Sequence, residues 1–307
     1  MRWFPFSERL RQLFPFKVAK IPLDAGFTCP NVDGTLAFGG CTYCDNKSFS
    51  PNARGLRASV VDQVQRGVER YRAKGFTRFI AYFQASTNTY APVEHLKEIY
   101  DEALSSPDVV GLSIGTRPDC VAEPVLDLVQ SYTSRVHVWL EMGAQTMSNE
   151  ANRRTNRAHT WGDFVDAVGR AKGRGFDLVA HTILGLPGDT PDEMRETAVE
   201  LGRLGIDSVK VHHLYVCPGT AMEGQLLRGE VRLLEIGEYV GLVCDFLERL
   251  PERVSIQRLV GELDGPFVVA PKWGRTKSEI LVLLDAELAR RGTRQGALAG
   301  AVATPFH

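Results

Sequence analysis

The sequence predicts an α/β fold, a partial (β/α)6 barrel of parallel strands with N- and C-terminal extensions. The chain has 307 residues, 44% hydrophobic and 24% charged, and a chain of this kind buries a large core without disulfides or zinc. Apolar segments of strand and helix character alternate from residue 59 onward, and strands recur about every 30 residues, which indicates βαβ units. No GxGxxG motif follows a predicted strand, which disfavours the alternative of an open, doubly wound, dinucleotide-binding sheet.

Predicted helices and strands alternate from residue 59 onward, beginning with a helix. Ser59 is a suitable N-cap for the first helix, because the apolar residues Val60, Val64 and Val68 recur behind it at helical spacing. Pro92 lies in the first turn of the next helix. The further predicted helices are 92–106, 122–134, 161–174, 191–204 and 233–250, and the predicted strands are 77–83, 108–114, 136–141, 176–183, 207–214 and 253–258.

The chain is expected to have three parts. They are an arm at 1–19, a core at 20–260 and an extension at 261–307 that packs on the core and frays at its end. No apolar run approaches the roughly 20 residues of a membrane span, and the first residues lack the apolar stretch of a signal peptide. The net charge is -1. We therefore expect a cytoplasmic protein that binds neither membrane nor nucleic acid.

Three of the six cysteines are clustered ahead of the strand–helix series. Cys29, Cys41 and Cys44 have the spacing C-x11-C-x2-C on a loop rich in glycine. A structural zinc site needs four ligands, and the nearest histidine downstream is His95. Three thiolates suit a cubane iron–sulfur cluster with one iron left open, although three unrelated cysteines remain the simplest alternative.

The cysteine loop resembles that of the radical S-adenosylmethionine (SAM) superfamily, in which an aromatic residue, here Tyr43, precedes the last cysteine. The wider spacing in GFTCPNVDGT and GGCTYC resembles the YhcC-like subgroup, which is related to the elongator catalytic subunit and to oxygen-independent coproporphyrinogen oxidase. The resemblance extends along nearly the whole chain. It continues through AYFQASTNTYAP, GLSIGTRPDC, HTILGLPGDT, VKVHHLYVCPGT and PKWGRTKSEI.

This resemblance implies an enzyme with two cofactors. Cys29, Cys41 and Cys44 would hold one [4Fe-4S] cluster whose fourth iron binds SAM. Reductive cleavage of SAM would give a 5′-deoxyadenosyl radical, which takes hydrogen from an unidentified substrate. The reductant would be an electron donor of the flavodoxin or ferredoxin type. In such enzymes the cofactor carries the chemistry and the protein orients it.

The resemblance also assigns SAM contacts near the cysteine loop. Tyr43 would place its backbone near the adenine. Gln84, Ala85 and Thr87 stand where the superfamily has a Gly-Gly-Glu segment that receives the SAM ammonium, although this chain has no such motif. Gly115 stands where the relatives have a glutamate that contacts the ribose, so that contact is missing or comes from another group.

Four further SAM contacts follow from later strands. Gln145 and Arg157 match the glutamine and arginine of the G-x-Q…R segment of the superfamily. A fixed guanidinium is well suited to bind the SAM carboxylate. His181 takes the place of an aspartate in the oxidase and of a histidine in the elongator relatives. Ile183 matches the strand that packs against the adenine.

The strand at 207–214 supplies the candidate substrate residues. By alternation, Lys210 and His212 share one face, while Val209, Val211 and His213 share the other. The face with the two valines is more apolar than the face with Lys210 and His212, so we expect it to pack against helices. We therefore expect Lys210 and His212 to face the barrel interior as catalytic residues, and His213 to be a packing residue.

The remaining cysteines, Cys120, Cys217 and Cys244, have no spacing for a second cluster. Two other functions remain open. One is an RNA-modifying radical SAM enzyme, which the neutral charge and the lack of an added basic domain disfavour. The other is a non-catalytic zinc or iron–sulfur module, which iron content and colour would distinguish from the enzyme.

Overall fold

The structure is a computed structural model that describes residues 1–50, 52, 58–261 and 265–300. Its seven strands are hydrogen-bonded in the order in which they occur in the sequence. The strands are β1 (Val18–Leu23), β2 (Arg78–Phe83), β3 (Val109–Thr116), β4 (His137–Gln145), β5 (Asp177–Leu184), β6 (Ser208–His213) and β7 (Ser255–Arg258). The helices are α1 (Phe6–Leu13), α2 (Asn46–Phe49), α3 (Val60–Arg72), α4 (Val93–Ala103), α5 (Glu123–Ser131), α6 (Asn149–Arg154), α7 (Trp161–Ala171), α8 (Pro191–Leu204), α9 (Ala221–Leu227), α10 (Ile236–Arg249) and α11 (Lys277–Arg290).

All six predicted strands are present, and β1 is an additional strand that periodicity did not reveal. Its sequence VAKIPL contains a lysine and a proline, which interrupt the apolar run of a buried strand. A proline is tolerated because β1 lies at one end of the strand order, where its missing N–H group costs no ladder hydrogen bond. Most predicted helices are shorter in the structure. In the helix predicted at 122–134, the α-helix ends at Ser131 and a 3₁₀ turn follows over Tyr132–Ser134.

The N-terminal unit consists of Leu10–Gly143 and Gly162–Val179. Within it, β1, β2 and β3 are parallel, and Leu23 pairs with Phe83, which pairs with Ile114. Because parallel strands end at the same edge of a sheet, the loops that follow these three residues lie side by side. The sheet is packed tightly: a Cβ atom on Gly111 would lie 2.8 Å from a ring carbon of Trp139.

The C-terminal unit consists of Met1–Arg9, Ala144–Trp161 and Ala180–His307. Its strands β6 and β7 are parallel, and α10 packs on α8 and α11. Helix α8 begins with a capping box between Thr190 and Glu193, and Gly205 ends it in the left-handed conformation at φ 80°. The first residues of the chain pair along β7, since the Ile256 amide donates to the Phe4 carbonyl.

The predicted three-part division into 1–19, 20–260 and 261–307 stays a prediction. The described part of the extension packs within the C-terminal unit, where Ile280, Leu284 and Leu288 of α11 are buried. The end of the tail, residues 301–307, lies outside the described residues. Among the helices that the structure describes, none has the length and apolar character required to span a bilayer.

Candidate functional site

The cysteine loop follows β1 and is folded by its own backbone hydrogen bonds. The Val32 amide donates to the Cys29 carbonyl at 2.8 Å, and the Cys44 amide donates to the Cys41 carbonyl at 2.9 Å. None of the three cysteines forms a disulfide with a described residue: Cys41 is buried, Cys29 is half-buried and Cys44 is exposed. The Asn31 Nδ2 atom lies 3.5 Å from the Cys41 sulfur and donates to it. Such hydrogen bonds to a sulfur ligand tune iron–sulfur sites.

Glycine is required where this loop turns most sharply. Gly34 has φ 90°, and a Cβ atom there would lie 2.5 Å from a ring carbon of Phe38. Gly40 has φ 75°, and its amide donates to the Asn31 carbonyl at 2.8 Å. Both positions favour glycine because a side chain strains the left-handed backbone. The glycines therefore set the path that brings Cys41 back toward Asn31.

The loop after β2 is joined to the cysteine loop. The Thr87 amide donates to the Thr28 carbonyl at 3.2 Å. The Asn46 side chain exchanges two hydrogen bonds with Ser86, one from Nδ2 to the hydroxyl at 2.8 Å and one from the Ser86 amide to Oδ1 at 3.2 Å. Ser86 has φ 61°, the left-handed region. The structure thus brings the 84–87 segment, with its predicted SAM contacts, next to the cysteines.

Gly115 is tightly packed against the backbone that follows β2. A Cβ atom at this position would lie 3.0 Å from the Phe83 carbonyl oxygen. Both the amide and the Nδ2 atom of Asn88 donate to the Gly115 carbonyl, at 3.1 Å and 2.8 Å. A side chain at position 115 would therefore push against the backbone of the β2 loop. A ribose contact, if one exists, must come from elsewhere.

Cys120 lies close to the cysteine loop but differs from the three loop cysteines. The Thr89 hydroxyl donates to the Cys120 carbonyl at 2.6 Å. Burial, together with the neighbouring Asp119 carboxylate, raises the pKa of the Cys120 thiol to about 12. A thiol with so high a pKa carries little of the thiolate that binds metals.

The three loop cysteines are the side chains that would hold a cubane cluster. Among the described residues, no three His, Cys, Asp or Glu side chains converge closely enough to hold one ion. A cubane binds each thiolate through a different iron, so its ligands need not converge on one point. Three cysteines on one glycine-shaped loop are such a donor set.

Arg157 of the C-terminal unit is buried, whereas its neighbours in sequence are exposed. Its side chain is held by His159, whose Nε2 atom accepts from the Arg157 Nε atom at 3.1 Å. Arg153 and Arg154 instead form surface ion pairs with Glu150. Only Arg157 of the three is therefore placed as a fixed cation of a binding site would be.

Gln145 ends β4 with an unusual backbone. Its φ of 64° is uncommon for any residue other than glycine. Such strain is typical of functional sites, although it does not identify the ligand. The adjacent Thr146 and Ser148 are buried, and the Ser148 hydroxyl caps α6 by accepting from the Ala151 amide.

One face of β5 and β6 carries the other predicted residues. His181 and Ile183 alternate with buried residues on β5, and the His181 ring centroid lies 6.5 Å from that of His212 on β6. Lys210 is buried on the same face of β6. Burial, the Arg258 cation and the His181 ring lower the pKa of His212 well below 6.5. His212 is therefore a neutral imidazole.

His213 points to the other face of β6, as predicted for a packing residue. Its ring lies 4.3 Å from the Trp273 ring and 5.4 Å from the Tyr239 ring of α10, measured between centroids. Burial lowers its pKa to about 4. The valines on this face, Val209 and Val211, are fully buried.

The N-terminal unit contains a buried ion pair that was not predicted from the sequence. The Lys20 ammonium lies 2.8 Å from Glu141 Oε1, and the Ser113 hydroxyl donates to the same oxygen at 2.6 Å. Glu141 is 0% exposed. The glutamate at the end of the apolar strand segment VHVWLE was the available signal, because a charge in a buried strand requires a partner.

His159 and Arg258 were also missed. His159 accepts a hydrogen bond from Arg157, two residues before it in the sequence. Arg258 lies near Lys210 only because of the pairing register of β6 and β7. The predicted site residues are thus divided between the units. Those of the N-terminal unit are Cys29, Cys41, Cys44, Tyr43, Gln84, Ala85 and Thr87, and those of the C-terminal unit are Gln145, Arg157, His181, Ile183, Lys210 and His212.

Comparisons with known proteins agree with the predicted resemblance. The sequence pattern of the radical SAM superfamily matches residues 38–201, and that of the radical SAM C-terminal domain matches residues 206–290. The chain is 38% identical over 298 residues to YtqA of Bacillus subtilis (strain 168), covering 96% of this chain and 92% of that protein. It is 35% identical over 295 residues to YhcC of Escherichia coli (strain K12), covering 95% and 94%.

A solved structure confirms the predicted fold class. The archaeal Methanocaldococcus infernus Elp3 superposes with a TM-score of 0.70, covering 91% of this chain and 64% of that chain. At 18% identity this likeness concerns the fold alone. The partial β/α barrel is therefore established by the strand order and by this superposition. Together, the matched sequence pattern and the two full-length relatives show that the chain belongs to the radical SAM superfamily.

Proposed function

We propose that this protein binds one [4Fe-4S] cluster through Cys29, Cys41 and Cys44, cleaves SAM reductively, and abstracts hydrogen from a substrate held beside Lys210 and His212. The observation that carries the proposal is the cysteine loop. It holds three cysteines outside disulfides among the described residues, is shaped by glycines, and follows β1 at the sheet edge where parallel β/α enzymes place their active sites. When bound, the cluster and SAM supply a one-electron cleavage of the sulfonium C–S bond, giving methionine and a 5′-deoxyadenosyl radical.

In this proposal the cysteine loop and the 84–87 segment hold the cluster and SAM. The hydrogen bonds from Thr87 to Thr28 and between Ser86 and Asn46 fix the two loops to each other. Backbone carbonyls at Gln84 and Ala85 would receive the SAM ammonium, in place of the missing Gly-Gly-Glu segment, and the Tyr43 backbone would lie near the adenine. Two loops linked in this way hold a charged ligand without reorganising.

Four residues of the C-terminal unit are further proposed SAM contacts. Arg157 would bind the SAM carboxylate, because it is a buried guanidinium already oriented by His159. Gln145 would donate to SAM from its strained position at the end of β4. His181 and Ile183 share the partly accessible face of β5, where an imidazole and an aliphatic side chain suit a ribose and an adenine.

Lys210 and His212 are the proposed substrate residues. They occupy one face of β6, while the opposite face is filled by valines and by His213. The neutral His212 imidazole can both donate and accept a hydrogen bond, and Lys210 offers a cation. Together they would orient a polar substrate so that one C–H bond faces the radical. The proposed setting is the reducing cytoplasm, with a flavodoxin- or ferredoxin-type protein as electron donor.

Anaerobic reconstitution tests the proposal. Protein treated with iron and sulfide should turn brown and hold about four irons per chain. After reduction with dithionite, it should convert SAM to 5′-deoxyadenosine, measured by mass spectrometry. A colourless protein that binds zinc and leaves SAM intact would contradict the proposal and support a non-catalytic metal-binding module.

A further inference from the structure

Arg258, the last residue of β7, is a half-buried cation. Its side chain makes no hydrogen bond and no ion pair with any residue that the structure describes. Other arginines of the C-terminal unit are satisfied: Arg253 donates to two backbone carbonyls, and Arg291 pairs with Asp245. Because its side chain is half-buried and has no partner among the described residues, Arg258 is available to bind an anion.

A bulge determines where the Arg258 side chain lies. Ser208 pairs with Ser255 and Val209 with Ile256, but the register then shifts, and Lys210 pairs with Arg258. One additional residue is therefore accommodated on β7. Paired residues of parallel strands project to the same side, so the shift puts Arg258 on the face that carries Lys210. Bulges commonly redirect a side chain in this way next to a binding site.

The neighbouring His212 also has an unused polar atom. Its Nδ1 atom is buried and has no hydrogen-bond partner among the described residues. The register pairs Arg258 with Lys210, and His212 lies two residues farther along the same face of β6. A half-buried cation and an unsatisfied buried imidazole nitrogen thus occupy the same face of β6 and β7.

We propose that Arg258 and His212 bind an anionic group of the substrate, a carboxylate or a phosphate. The planar guanidinium can donate two parallel hydrogen bonds to such a group, and the neutral His212 ring can donate a third. Lys210, the register partner of Arg258, adds positive charge to the same face. The proposal rests on the proposed function only in assigning the anion to a substrate; the binding itself can be tested without turnover.

Titration with simple anions tests this site. The reconstituted protein, with SAM present, is titrated with inorganic phosphate and separately with succinate, while the ¹⁵N signals of the His212 ring are followed by NMR. We expect saturable shifts that weaken tenfold or more in Arg258→Gln. Arg258→Lys keeps the positive charge but loses the planar guanidinium, so it should bind the anions with intermediate affinity. This variant replaces Arg258→Gln in the test if Arg258→Gln does not fold.

The two anions distinguish the two sources of charge. Tighter binding of phosphate would support a phosphorylated substrate, and tighter binding of succinate a carboxylated one. The matched control is Arg228→Gln, which removes an exposed arginine paired with Glu230 and should bind both anions as the parent protein does. The proposal is overturned if neither anion shifts the His212 signals, or if Arg258→Gln binds them equally well. Failure of the proposed function would look different, since wild-type protein would then not cleave SAM whatever it binds at Arg258.

Discussion

The Arg157 guanidinium donates to the Nε2 atom of His159, with 3.1 Å between Arg157 Nε and that atom. Nε2 must therefore carry a lone pair, and the ring proton lies on Nδ1, which faces the Thr160 carbonyl at 3.3 Å. The histidine thus holds the buried guanidinium in one orientation.

Arg157→Ala should weaken SAM binding about tenfold to a hundredfold, since hydrogen bonds to charged groups contribute roughly 1.5–3 kcal/mol. Calorimetric titration of the reconstituted protein with SAM measures the change. Arg153→Ala is the matched control, because Arg153 is exposed and pairs only with Glu150 among the described contacts. Equal SAM affinity in the Arg157 and Arg153 variants would place Arg157 outside the SAM site.

Replacing any one of Cys29, Cys41 and Cys44 with Ala should abolish the cluster, because a cubane needs all three thiolates here. Iron content and the brown colour after anaerobic reconstitution give the result. Cys244→Ala is the control, since Cys244 is buried in α10 and its thiol donates to the Leu284 carbonyl. A full iron content in one of the three loop variants would remove that cysteine from the ligand set.

His181→Ala and His212→Ala should have different effects although their rings lie only 6.5 Å apart. We expect the first to weaken SAM binding and the second to leave SAM affinity and iron content unchanged, because His212 lies on the proposed substrate side. The same SAM titration and iron assay separate them, and Lys210→Ala should behave like His212→Ala. A loss of SAM affinity in the β6 variants would show that substrate and SAM residues are not divided between β5 and β6.

The protein should lose stability as the pH falls from about 6.5 toward 4, in part because of His213. Burial lowers the pKa of His213 from 6.5 to about 4, so the folded state resists a protonation that the unfolded chain accepts. This contribution is present above pH 6.5 and amounts to at most about 3 kcal/mol. His213→Phe keeps a ring against Trp273 and does not titrate.

Urea denaturation of both proteins at about pH 8 and about pH 5 measures this effect. The free energy of unfolding should fall less between the two pH values in His213→Phe than in the parent protein. The same fall in both proteins would assign the acid sensitivity to other groups, such as His212.

Lys20→Met should destabilise the protein by roughly 3 kcal/mol, because it removes a cation from a glutamate that is 0% exposed. The double variant Lys20→Met/Glu141→Leu should recover much of this loss, since no charge then remains to be buried. The free energy of unfolding in urea measures both. A double variant less stable than Lys20→Met would show that the ion pair itself, rather than the burial of an unpaired charge, dominates.

The sequence by itself determined the alternation of strands and helices, the cysteine loop and the identity of the family. These features are local: periodicity is expressed within one element, and the spacing of Cys29, Cys41 and Cys44 lies within one loop. Alternation along β6 also separated Lys210 and His212 from His213 correctly, because neighbouring residues of a strand point to opposite faces.

Only the tertiary structure decided which distant residues meet. It revealed β1, whose lysine pairs with Glu141 some 120 residues later, and it showed that a Cβ atom at Gly115 would meet the Phe83 carbonyl. It also placed Arg258 opposite Lys210 through a register shift that the periodicity of the sequence does not predict. The physical reason is that pairing register, close packing and the partners of buried charges depend on the three-dimensional arrangement of separate segments, whereas periodicity and spacing are properties of one segment.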